Sequence, residues 1–211
     1  MVRLMASLGA GGVLYLTPMV FHREHFSAAS VGLGLALAAL TGTAGRFASG
    51  ALLDRGLNCS LPVLLAAATA LLADGLLLQA DTFPAYVVGQ LLLGTAMGLY
   101  WPAIELAVPL CSPPLSSARG YALARSADAL GIASGALGGA VLAALGRLRG
   151  IYVVDMLCLV VVAHLLLRRP LPSPAASPTG GVRLPWGQWL PPLLPLLALS
   201  VVATAIPALM Q

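Results

Sequence analysis

The chain has 211 residues, of which 59% are hydrophobic and 9% charged, with a net charge of +4. A soluble domain carries roughly 25% charged residues to coat its core, so this composition excludes a water-soluble globule and makes the bilayer the solvent. All eleven basic residues are Arg, and they fall between apolar runs rather than in a basic stripe with aromatics, which excludes nucleic-acid binding.

Spanning hydrocarbon takes about 20 apolar residues in a helix. Seven stretches qualify in chain order: 3–20, 29–52, 62–80, 84–107, 121–145, 150–167 and 187–209. The first is followed by Phe21-His22-Arg23-Glu24-His25 rather than a small-residue cleavage site, so it reads as a retained helix and not a signal peptide. Two His three apart, His22 and His25, lack further ligands, and no metal site is expected. Asn58-Cys59-Ser60 separates the second and third helices, and Pro109 to Ser117 the fourth and fifth. Residues 168–186, rich in Arg, Pro, Ser and Gly, read as a flexible cytoplasmic linker between a six-helix bundle, 1–167, and a seventh helix within 187–211. Trp186 and Trp189 flank that helix as interface anchors. The expected class is an all-α membrane protein. The runs are too long, and too apolar on every face, for barrel strands.

Arg bias sets the orientation. With a cytoplasmic N-terminus, Arg3, Arg46, Arg55, Arg119, Arg125, Arg168, Arg169 and Arg183 lie on the cytoplasmic side, and Arg23, Arg147 and Arg149 outside. Cys59, Cys111 and Cys158 have no disulfide or metal spacing, and Cys158 sits inside an apolar run.

Glycines mark close helix approaches: Gly131, Gly135 and Gly139 on the fifth helix, Gly94 and Gly98 on the fourth, Gly42, Gly45 and Gly50 on the second. Ala48-Ser49-Gly50-Ala51-Leu52 recurs as Ala133-Ser134-Gly135-Ala136-Leu137, and Leu14-Tyr15 as Leu99-Tyr100, both at an offset of 85. A three-helix unit repeated once enters the membrane in opposite senses, which gives a 3+3 inverted repeat.

The run Gly45-Arg46-Phe47-Ala48-Ser49-Gly50-Ala51-Leu52-Leu53-Asp54-Arg55-Gly56 resembles the signature loop of the major facilitator superfamily, roughly G-x-L-x-D-R-x-G-R-R. Gly50, Asp54 and Arg55 match in register, and Arg46 is common there. Gly56 follows Arg55 without a spacer, and Leu57-Asn58 replaces the basic pair. Pro18 at the end of the first helix, Gly94 to Gly98 with Pro102, and Arg119-Gly120 fit the same family. The antiporter motif is only approximated, since Ala136 replaces its proline, and Gln90 stands near the Arg of proton-coupled drug exporters.

The resemblance implies a secondary transporter of a small solute, not an enzyme, without cofactors and with possible proton or ion coupling. It covers an N-terminal half plus one helix, so an incomplete chain that needs a second helical bundle is expected. A non-transporting membrane scaffold is the alternative. The resemblance also implies a plasma (inner) membrane location, a gate formed by Gly50, Asp54, Arg55, Gly56 and Arg46, and a cavity lined by the first and fourth helices, with Tyr15, Thr17, Gln90, Tyr100 and Trp101 as its polar or aromatic positions. Glu105, Arg119, Arg125 and Asp128 are read as a cytoplasmic charge cluster, structural or gating. Asp74 lies deep in the third helix without a basic neighbour in sequence; it is either a proton site or a side chain snorkelling outward with Asp81.

Overall fold

The computed structural model describes residues 1–112 and 116–175, with positions 191 and 195 beyond them. The described helices are α1 (Val2–Arg23), α2 (Ala28–Asp54), α3 (Ser60–Leu78), α4 (Phe83–Cys111), α5 (Ser117–Ala144) and α6 (Gly150–Arg168). All six are long and apolar enough to cross a membrane, and there is no strand among the described residues. The expected seventh helix, Arg183, Trp186, Trp189 and most of the linker lie outside the described residues. The chain divides into a compact unit Met1–Ala176 and a second, Ser177–Gln211. Within the first, the start of the expected linker is tied down: the Leu171 N–H donates to Ser60 Oγ at 2.6 Å, and the Cys59 N–H donates to Pro172 O.

Local chemistry sets the helix ends. Ser27 and Ser116 cap α2 and α5 by accepting the N–H groups of Ser30 and Arg119. Gly56 (φ 74°) and Gly146 (φ 72°) end α2 and α5 in the left-handed conformation, which glycine adopts without a Cβ penalty. That requirement explains why Gly56 follows Arg55 directly.

Two expectations about proline are corrected. Pro18 does not end the first helix but lies inside α1, and Pro109 lies inside α4 rather than in the following loop. Neighbouring helices in lipid re-satisfy the backbone groups that an internal proline frees.

The packing order supports the inverted repeat. α1 packs on α5 and α6, α4 packs on α2 and α3, and α3 packs on α6. Exchanging α1–α3 with α4–α6 maps this pattern onto itself. The register differs from the offset of 85. Ala28 and Ser117 open α2 and α5, 89 positions apart, and Ser60 and Gly150 open α3 and α6, 90 apart. Equivalent residues should share an environment, yet Ser49 is buried and donates to Leu99 O at 3.0 Å, while Ser134 is exposed. The five-residue match at an offset of 85 therefore does not mark equivalent positions of α2 and α5.

Glycine seams hold the parallel pairs. A Cβ on Gly135 would collide with Leu8 O and approach the Gly12 N, and one on Gly131 would stand 2.7 Å from Leu4 O. On the other side, Gly98 lies against Gly42 O and Gly45, and Gly94 against Ala38 O. Backbones in such contact gain dispersion that lipid cannot match. Gly50 has nothing within 4 Å of its Cβ position, so it belongs to neither seam.

At the end remote from Met1, Phe21 and Tyr86 pack at 4.3 Å between ring centroids, and the Tyr86 hydroxyl donates to Val31 O. On the same side, Arg149 donates to Leu78 O, Ala80 O and Asp81 and pairs with Glu24 at 3.0 Å. Partial burial works against its charge, but the hydrogen bonds to Asp81 and Glu24 prevail and hold its pKa above the ordinary value. Arg149, one of the arginines that oppose the orientation bias, is thus committed to tying three connections together.

Candidate functional site

α1 and α4 face one another across a cavity of about 440 Å³, flanked by α2 and floored by α3 and α6. Small side chains make the room: Ala6 and Ala10 on α1, and Ala66, Ala67 and Ala70 on α3, line it. Most of the wall is apolar. The polar exceptions are few: Ser7, Thr17, Thr43, Arg46, Gln90 and Asp155, with Tyr100 and Trp101 beside them.

Four of the five expected cavity positions are on this wall. Thr17 is buried and accepts a hydrogen bond from the Tyr152 hydroxyl at 3.1 Å. Gln90 is 3% exposed, and its amide nitrogen has no partner. The Tyr100 hydroxyl is also unpartnered, and its ring packs edge-on to Trp101 at 5.4 Å. Tyr15 is the correction: it is 59% exposed and lies off the cavity, because it sits on the outward face of α1.

The expected charge cluster exists, but its centre is a residue the sequence reading used only for orientation. Arg3, 7% exposed, bonds Asp128 and donates to Glu105 at 3.0 Å. Ser7 donates to the same carboxylate of Asp128. Arg125 reaches Glu105 at 3.1 Å, and the guanidinium groups of Arg3 and Arg125 each lie 5.7 Å from the Trp101 ring. Cation–π attraction at this distance adds to the ion pairs. The network joins α1, α4 and α5. Arg119, expected in it, is exposed and forms no ion pair among the described residues.

Of the signature loop, Arg46 lines the cavity, while Asp54 and Arg55 are exposed at the end of α2, without an ion pair among the described residues. Asp74 is 0% exposed, so the snorkelling reading is excluded; Asp81, its expected companion, pairs with Arg149 instead. Opposite Asp74 stands Asp155, which the sequence reading missed. It is 4% exposed, borders the cavity and packs on Gly9. The signal was available: a lone acid in the apolar run Ile151 to Leu167 meets the same criterion that picked out Asp74.

Six membrane-spanning helices, packed as a twofold-repeated bundle around an internal cavity, define a multi-pass membrane protein of the transporter kind. A model of the Major Facilitator Superfamily matches residues 1–211, and the chain belongs to that superfamily. It is a major facilitator transporter, working in a lipid bilayer on a solute. None of the curated proteins compared with the chain matches it.

Proposed function

We propose that the cavity between α1 and α4 is the path of a small, largely apolar solute carrying one or a few hydrogen-bonding groups. The observation that carries this is the wall itself: apolar nearly throughout, with Gln90 and Tyr100 among its residues and the Gln90 amide nitrogen and Tyr100 hydroxyl left without a hydrogen-bond partner. A volume of about 440 Å³ lies within the range of small-molecule sites. Such sites place a few polar groups in an apolar cleft to fix orientation.

The N-terminus is cytoplasmic in this reading, in a plasma (inner) membrane. Arg46, Gly50, Asp54, Arg55 and Gly56 then form the cytoplasmic gate against a second helical bundle. Support comes from the exposed acid and base at the end of α2, which have no partner among the described residues. It comes also from α5, whose Leu123, Leu130 and Leu137 repeat every seven residues and are all more than 60% exposed.

The test is a thermal-shift screen of small solutes on the purified chain, since a ligand that binds only the folded state raises its melting temperature. A hit should stabilise the wild type and lose its effect in Gln90→Leu and Tyr100→Phe. Liposome flux of the same solute should follow that order. A hit that stabilises all three proteins equally would remove the solute from this cavity.

A further inference from the structure

Asp74 on α3 and Asp155 on α6 adjoin across the contact between these helices, without a hydrogen bond of ordinary geometry between them. Neither carboxyl oxygen of Asp74 has a partner, nor does Asp155 Oδ1. A buried ionised carboxylate without a partner is too costly to persist in hydrocarbon. Two side by side cannot both be charged.

The surroundings supply no compensating cation. α3 carries no basic residue. From α6, Tyr152 and Cys158 are the titratable neighbours, and the Tyr152 hydroxyl is already given to Thr17 of α1. From α1 the facing residue is Gly9, and Arg3 is engaged with Asp128 and Glu105. α4 brings Tyr86, whose hydroxyl is spent on Val31 O, and the neutral Gln90. His164 of α6 is exposed on the outer face, nine positions beyond Asp155.

A second observation points from the pair toward the cavity. Asp155 lines the cavity, and so does Gln90, which is 3% exposed and whose amide nitrogen has no partner. One member of the buried acid pair thus belongs to the wall of the space through which the solute is read to pass.

We propose that Asp74 and Asp155 form one proton-binding site, loaded and unloaded from the cavity through Asp155, and that this site couples the transporter to a proton gradient. Asp74 keeps its proton throughout; the step is an addition of H⁺ to a carboxylate oxygen of Asp155, which passes from an ion accepting a hydrogen bond from Asp74 to a carboxylic acid, and release returns that proton to cavity water and leaves no covalent change. Gly9 gives the Asp155 carboxyl its room, since a Cβ there would overlap Asp155 Oδ1. The coupling role rests on the cavity being the solute path, but occupancy of the site does not, so the two can fail separately.

The experiment needs no solute. Infrared spectra of the purified full chain are recorded across about pH 5 to pH 9, the window in which paired and buried carboxyls titrate. The wild type should show a protonated-carboxyl band that grows on acidification, and Asp74→Asn or Asp155→Asn should each remove about half of it. Should an Asn variant fail to fold, Asp74→Glu and Asp155→Glu keep the acid and displace its band instead. A wild-type band that does not change with pH means a permanently neutral structural pair, and a band that survives unchanged in both variants belongs to other carboxyls; either result overturns the proposal. Loss of the band at fixed pH when sodium chloride replaces choline chloride overturns it in favour of a metal-cation site.

Discussion

Arg3 and Asp128 are 125 positions apart in sequence and form a buried ion pair, with side chains only 8% and 6% exposed. The pair joins the first turn of α1 to α5, and Glu105 extends it to α4. Burial raises the stakes, because removing one partner leaves the other as an uncompensated charge. Asp128→Ala is expected to cost about 3–5 kcal/mol, whereas Arg119→Ala, at an exposed position without an ion pair, should stay within about 0.5 kcal/mol. Thermal or denaturant unfolding in detergent compares them, and equal effects would show that the network is not what holds α1 to α5.

The glycine seams give a prediction of opposite signs on one helix. Gly135→Ala drives a methyl group into Leu8 O and should cost about 1–3 kcal/mol. Gly138→Ala meets nothing within 4 Å and should be neutral or stabilising by up to about 1 kcal/mol, as alanine favours the helix. Melting temperatures in detergent read the contrast.

Thiol chemistry divides the three cysteines. Cys59 is 0% exposed and Cys158 is 8%, whereas Cys111 is exposed. A maleimide should therefore modify Cys111 in the folded protein and the other two only after denaturation, as mass spectrometry would show. Cys59 is shielded although it lies between two helices: its backbone is held by Pro172 and its side chain packs with Leu53 and Val63. Labelling of Cys111 from outside intact cells would reverse the proposed orientation.

Asp54→Asn should change stability by less than about 0.5 kcal/mol, because the carboxylate is exposed and forms no ion pair among the described residues. If Asp54 belongs to a gate, the same substitution lowers flux strongly once a transported solute is in hand. A large loss of stability instead would make it a structural residue.

The six described spans were legible because each apolar run is long enough to cross hydrocarbon and charges or turn formers interrupt them. Their ends were less so. Pro18 and Pro109 look like stops in sequence, yet both sit inside helices whose neighbours supply the packing. The cavity positions Thr17, Gln90, Tyr100 and Trp101 followed from the family resemblance. Tyr15 failed because its rotation about α1 is decided by the Gly12–Gly135 contact, which no single run of sequence reveals. Arg3 read as a topological charge, since its partners arrive from two other helices. Asp155 was legible by the same criterion as Asp74, a lone acid in an apolar run, but its pairing with Asp74 depends on the packing of α3 on α6.

The two helices that carry the acid pair are the shortest of the bundle. α3 and α6 have 19 residues each, about 28 Å of rise, while α4 has 29. Hydrocarbon about 30 Å thick leaves α3 and α6 no spare turn, whereas α4 can tilt. A thicker bilayer therefore strains α3 and α6 first, and the lipid chain length that a membrane happens to have acts directly on the geometry between Asp74 and Asp155.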